Sequence, residues 1–131
     1  MIEPGTPERE EARLGILREL EILDTTNESS LDELTALAAE VLGIPIVLIS
    51  LVDKDRQWFK SKVGLGASET PRNVSFCGHA ILDTKTLIVE DATKDIYVSL
   101  TTLLWSGLPM SSSTQGYPWK WGESLLELFA R

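Results

Sequence analysis

The sequence predicts an α+β fold in which helices flank an antiparallel sheet. Apolar residues recur at helical spacing up to Gly43, and the segment from Ile46 to Val52 is apolar apart from Ser50. Such a run, rich in β-branched residues, is typical of a strand buried on both faces. A polar turn and the segment 57–63 then complete a β-hairpin. Helices followed by paired strands predict the α+β class.

Each element follows from local signals. We predict helices at 6–23 and 30–43, a hairpin at 45–53 and 57–63, a short helix at 75–82 and a strand at 87–90. Thr6 and Pro7 are suited to begin the first helix. Ser30 and Glu33 have the spacing of a capping box, and Gly43 is a natural helix stop. Ser75 is expected to cap the short helix.

Composition narrows the classes of function. A formal charge of −8 over 131 residues argues against nucleic-acid binding. Four cations cluster around the hairpin, and we interpret them as a solvated face: Lys54, Arg56, Lys60 and Lys62. The single cysteine excludes an internal disulfide, no signal peptide is visible, and no apolar run is long enough to span a membrane. We therefore expect a cytoplasmic chain without nucleic-acid or membrane partners.

Several motifs occur together in one order. They are the Leu48–Asp53 and Arg56–Ser61 segments, the stretch Glu69-Thr-Pro-Arg-Asn-Val-Ser-Phe-Cys-Gly-His-Ala-Ile81, and Leu87-Ile-Val-Glu-Asp-Ala92. Combined, they resemble the GAF domains of bacterial sensor histidine kinases and diguanylate cyclases. The resemblance implies an antiparallel sheet with flanking helices and a small-molecule pocket between the sheet and its covering segments. It also implies a role in signal transduction.

The resemblance also suggests ligand-binding residues. It places Phe76, Cys77 and His79 on the pocket-side helix and Asp91 at the pocket mouth. Phe76 could stack on a ring, while His79 and Asp91 could hydrogen-bond polar groups. The alternative is structural: Phe76 belongs to the core and Asp91 ends a strand.

Cys77 is better explained as a core thiol than as a nucleophile. Cys77 and His79 stand two residues apart on a helix, so their side chains point away from each other. No second cysteine or histidine supplies a metal set. We expect no metal site and no catalytic residue, and the sequence specifies no cofactor.

The resemblance stops near Asp95. We therefore divide the chain into 1–95, the N-terminal part of a GAF domain, and 96–131, a divergent tail, so that the predicted domain is incomplete. If the codons for Tyr97–Trp105 are read in the frame that starts at the third base of each codon, they can encode Arg-Phe-Ala-Asp-Asn-Pro-Leu-Val. This is the segment that comes next in the GAF subgroup. Our hypothesis is a frameshift near Asp95; the alternative is an authentic divergent tail. An out-of-frame tail should be irregular and leave the Ile46–Val52 strand without a partner on at least one side.

The predicted function is a sensory module that binds a small ligand or relays a conformational signal to an output domain outside this chain. One alternative is a GAF-type enzyme, a free methionine sulfoxide reductase, against which the single cysteine argues. Another is a non-functional fragment of a kinase or cyclase. A homodimer through the N-terminal helix would use its leucine stripe, although packing on the chain's own sheet explains that stripe equally well. The stripe comprises Leu14, Leu17, Leu20 and Leu23.

Overall fold

The structure, a computed structural model, describes residues 2–89 and the backbone of 126–129. The elements are α1 (Glu10–Glu19), α2 (Ser29–Leu42), β1 (Val47–Val52), β2 (Arg56–Val63), β3 (Glu69–Pro71), a 3-10 turn (Arg72–Val74), α3 (Phe76–Ala80) and β4 (Leu126–Phe129). The sheet has the order β3-β2-β1-β4. Its first three strands are antiparallel, and β4 runs parallel to β1. The predicted α+β class is confirmed.

The strand β1 lies inside the sheet, between β2 and β4, and all six of its residues are buried. This confirms the expectation drawn from the apolar run. The ladder with β2 runs from Val47 opposite Val63 to Val52 opposite Gln57, and its register shifts between Ile49 and Ser50. The backbone N–H of Asp53 donates to Arg56 O at 2.8 Å and closes the hairpin.

Each face of the sheet carries its own apolar cluster. One cluster joins Leu14 and Leu17 of α1 to Leu51 and Trp58 of the sheet. The other consists of Ile46, Leu48, Phe59, Leu65 and Phe76. Because side chains alternate along a strand, one sheet serves both clusters. The inner leucines of α1 are therefore used within the chain.

The first helix is shorter than predicted. It begins at Glu10, after a turn in which the Glu10 N–H donates to Pro7 O at 3.2 Å, and no side chain caps its start. It ends at Glu19, since Glu21 and Asp24 adopt positive φ angles of 48° and 57°. Left-handed residues cannot continue a right-handed helix. The predicted span of 6–23 was too long at both ends.

The second helix matches its predicted span of 30–43 to within one residue at each end. The residue at the N-cap is Glu28, with no side-chain cap, so Ser30 lies inside the helix and the predicted capping box is wrong. Gly43 ends α2 in the left-handed conformation, with φ of 64°, as expected. Residues with a Cβ rarely adopt this φ, which explains glycine at the position.

The predicted strand at 87–90 does not form over 87–89, and Glu90 lies outside the described residues. Leu87 and Ile88 are exposed, Ile88 by 78 %. A strand needs a neighbour that accepts its backbone hydrogen bonds. Both sides of β1 are already occupied, by β2 and β4, so a local apolar run is not sufficient.

The expected unpaired edge of β1 is also wrong. The tail segment Leu126–Phe129 pairs with Val47–Ser50 in parallel register. Backbone pairing makes few demands on side chains, so a short tail segment can occupy an edge that would otherwise remain open. The other tail residues, and with them the predicted irregularity of 96–125, lie outside the described residues.

Candidate functional site

The short helix α3 is held in place by Ser75. Its Oγ donates to Arg72 O at 2.8 Å and accepts a hydrogen bond from the Gly78 N–H at 2.9 Å. The second bond is the predicted N-cap. Ser75 is fully buried, so it connects the 3-10 turn rigidly to α3. Phe76, Cys77 and His79, the described members of the set proposed from the resemblance, are therefore positioned by a polar contact inside the core.

Phe76 and Cys77 are both buried. Phe76 packs with Leu48, Phe59 and Leu65 in the cluster on one face of the sheet. Cys77 has no exposed surface, and its Sγ lies 3.0 Å from Ser50 Oγ on β1. This burial is what the structural alternative describes, and the ligand role of both residues remains a prediction.

Of the other two proposed ligand residues, the structure describes His79 but not Asp91. His79 is half-buried on α3, beyond the buried Gly78. Asp91 lies outside the described residues. The structure therefore brings Phe76, Cys77 and His79 together on one helix, as the resemblance implies, and leaves the fourth member of the proposed set to experiment.

Arg72 links the α3 segment to the first helix. Its Nη1 donates to Glu10 Oε1 at 2.5 Å and to the carbonyl oxygens of Asp53 and Lys54, each at 3.2 Å. The carbonyl oxygen of Arg72 accepts a hydrogen bond from the Ser75 hydroxyl. One residue thus joins α1, the hairpin turn and the cap of α3. Sequence reasoning did not single out Arg72, although it stands within the Glu69–Ile81 motif.

Glu10 is the centre of this ionic contact. Arg13 donates to both of its carboxylate oxygens, at 2.9 and 2.8 Å, and also to Val52 O at 2.5 Å. Hydrogen bonds from Arg13, and then from Arg72, lower the pKa of Glu10 from 4.5 to about 2. Glu10 is therefore ionised throughout the neutral range.

The N-terminal segment also touches α3 directly. A Cβ built on Gly78 would lie 2.8 Å from Pro4 Cγ and 2.9 Å from Arg72 O. Glycine is thus required by close approach rather than by an unusual φ. Beside this contact lies a polar cleft of about 440 Å³, lined by Pro4, Gly5, Thr6, Lys54, Asp55, Arg72 and Asn73.

The cations of the hairpin do not form the solvated face that we expected. Lys60 is almost fully buried under the α1–α2 connection, where its Nζ donates to Thr25 Oγ1 at 2.7 Å and to Thr26 O at 2.8 Å. It also pairs with Glu28 at 3.0 Å. The register shift near Ser50 interrupts the alternation of inward and outward side chains along β2. No pattern in the sequence predicts this shift.

Arg56 anchors the same connection from the hairpin turn. It pairs with Asp24, Glu69 and Asp53 at 2.6, 2.7 and 3.3 Å. These carboxylates, with Asp24 contributing most, raise the pKa of Arg56, and Arg56 lowers the pKa of Asp24. Three elements separated in sequence therefore meet at one guanidinium.

Neither a cluster of metal ligands nor a membrane-spanning helix occurs among the described residues. Over 2–89 and 126–129 there is no group of three or more histidines, cysteines or carboxylates that could hold a metal ion. In that same part of the chain, no helix combines the length and apolar character needed to cross a bilayer.

No protein-family model matches the chain. The chain is similar to a cyclic di-GMP phosphodiesterase of Pseudomonas aeruginosa, with 39 % identity over 95 residues. That match covers 72 % of this chain but 16 % of the phosphodiesterase. The chain thus spans a small part of the relative that it resembles.

Proposed function

We propose that this chain is a GAF-type sensory module in bacterial second-messenger signalling, binding a small ligand and relaying its presence to an output domain outside this chain. The relative acts on cyclic di-GMP, and the similarity concerns a small part of it. The proposed role is regulatory, and the proposal assigns no catalytic residue to this chain. The proposed site of action is the cytoplasm.

The observation that carries the relay is the position of Arg72. It bonds at once to Glu10 on α1 and, through its carbonyl, to Ser75 at the cap of α3. The proposed ligand residues Phe76, Cys77 and His79 follow directly on α3. A shift of α3 on ligand binding would move Arg72 and thereby change the geometry of its hydrogen bond to Glu10. Packed interiors transmit such shifts because they deform little.

The division of the chain is part of the proposal. Residues 1–95 would form the N-terminal part of the module, and 96–131 a divergent tail. Sequencing the coding DNA tests the frameshift: if no single-base change restores the GAF motifs after Asp95, the tail is authentic.

Ligand binding is tested first with the full chain and three probes, cyclic di-GMP, cyclic GMP and cyclic AMP. A ligand at one hundred times its Kd should stabilise the fold by about 2.7 kcal/mol, which is readily measured in thermal unfolding. If none of the three raises the Tm, the ligand of this module is not a cyclic nucleotide.

The relay is tested separately by hydrogen exchange with the stabilising probe. We expect exchange to change at Phe76–Ala80 and also at Glu10–Glu19. The variant Glu10→Gln should lose the response of α1 while keeping that of α3, and Glu11→Gln, an exposed neighbour, should keep both. An α1 response that survives in Glu10→Gln would show that the signal does not pass through Arg72.

A further inference from the structure

An amphipathic helix ordinarily packs through its apolar face, but the helix α2 meets the sheet through a polar residue. Thr35 is its buried residue, 1 % exposed, and its Oγ1 lies 2.9 Å from Ser61 Oγ on β2. The carboxylate of Asp32 accepts a hydrogen bond from the same Ser61 hydroxyl at 2.6 Å. Polar contacts therefore hold α2 against the sheet.

Several large apolar residues of α2 are exposed in the part of the chain that the structure describes. Leu34, Leu37 and Val41 are 44, 57 and 73 % exposed. Their spacing of three and four residues places them on one face of the helix. Three large apolar side chains in a row, not used by the chain's own sheet, are characteristic of a contact surface.

The charge beside this stripe is of one sign. The fourteen residues of α2 include Asp32, Glu33 and Glu40 but no lysine or arginine. Glu33 and Glu40 are exposed. Glu40 also lies near the C-terminal end of α2, where the helix dipole is negative and a carboxylate is unfavourable. A cation brought by a partner would relieve that repulsion.

We propose that Leu34, Leu37 and Val41 form a docking surface for an amphipathic helix of a protein partner whose apolar stripe is flanked by lysine or arginine. Apolar contact supplies the affinity, and the acidic flank selects the basic partner and speeds the encounter. The net charge of −8 attracts the same partner from a distance.

A second copy of this chain fits the surface poorly. Two α2 helices related by a two-fold axis would each bring an acidic flank and no cation. Like charges at close range destabilise such a contact, and the net charge of each copy adds repulsion. The proposed partner is therefore a different protein.

The test uses the full chain and a labelled synthetic helix of leucine and lysine, with all leucines on one face. Fluorescence anisotropy should show binding that weakens with added salt. The double variant Leu37→Gln/Val41→Gln should bind at least about tenfold more weakly. The control Ile16→Gln/Leu20→Gln removes similarly exposed apolar residues from α1 and its C-cap and should leave the affinity within about twofold.

Four results would overturn the proposal. They are no binding of the leucine–lysine helix, equal binding of a leucine–glutamate helix, an equal loss in the α1 control, and a dimer in sedimentation that Leu37→Gln/Val41→Gln dissociates. Should a variant fail to fold, NMR of the wild-type chain still decides. Amide shifts caused by the peptide must then cluster between residues 33 and 42.

Discussion

The guanidinium of Arg72 and the carboxylate of Glu10, 62 residues apart in sequence, form a hydrogen-bonded ion pair at 2.5 Å. Both side chains are nearly buried, 11 and 12 % exposed. Losing one member of such a pair strands the other in a poorly solvated place, which is costly. The contact therefore fixes α1 on the α3 segment, and it makes stability depend on the ionisation of Glu10.

The first prediction concerns the loss of folding stability at acidic pH. The folded-state pKa of Glu10, about 2, lies below its ordinary value of 4.5, so the folded protein binds fewer protons than the unfolded chain between these values. Stability from this group is present above pH 4.5 and is lost as pH falls toward 2. We expect a loss of about 2 kcal/mol, measured by urea unfolding across that window.

Matched variants identify the group responsible. Glu10→Gln should be less stable at neutral pH and should lose less on acidification. Glu11→Gln removes an exposed carboxylate from the same helical turn and should follow the wild type. If both variants show the wild-type acid dependence, Glu10 is not the titrating group.

The second prediction concerns glycine in two settings. Gly78→Ala places a methyl group 2.8 Å from Pro4 Cγ and 2.9 Å from Arg72 O, and should destabilise the fold by roughly 1–3 kcal/mol. Gly15→Ala meets nothing within 4 Å, lies inside α1, and should stabilise by roughly 0.5–1 kcal/mol. Thermal unfolding of both variants checks the pair. A Gly78→Ala protein as stable as the wild type would mean that Pro4 does not pack against α3.

The third prediction concerns the thiol. Cys77 has no exposed surface, so a thiol reagent should modify it only after local or global opening, on the order of a thousandfold more slowly than in the unfolded chain. Cys77→Ser keeps a polar atom opposite Ser50 and should leave ligand affinity nearly unchanged. Rapid labelling of the folded chain, or covalent capture of a ligand at Cys77, would contradict the assignment as a core thiol.

The fourth prediction concerns the tail strand. Removing residues 126–131 deletes β4 and exposes one edge of β1. We expect a lower Tm and concentration-dependent association in sedimentation, because an open apolar edge pairs with other chains. Removing only 130–131 serves as the control. A shortened chain that stays monomeric with an unchanged Tm would show that the β4 pairing adds nothing to the fold.

The homodimer predicted through the N-terminal helix remains to be tested, but the structure limits how it could form. Leu14 and Leu17 already pack against Leu51 and Trp58. Of the leucine stripe, Leu20 is the exposed member, with Ile16 beside it. A dimer through α1 would have to use these outer residues.

Local signals in the sequence determined the elements. The apolar run of β1, the stop at Gly43 and the cap at Ser75 each act through neighbours a few residues away, so they could be predicted and were found. The boundaries of α1 and the capping box were missed because competing caps and turns differ by little free energy.

The tertiary structure decided what the elements do. Which face of α2 meets the sheet depends on Ser61, which is distant in sequence, and the burial of Lys60 depends on a register shift between two strands. The link from Arg72 to Glu10 exists because folding brings together residues that no spacing rule connects. A sequence specifies local conformation through short-range sterics and hydrogen bonds, whereas side-chain partners across the fold are set by packing and register.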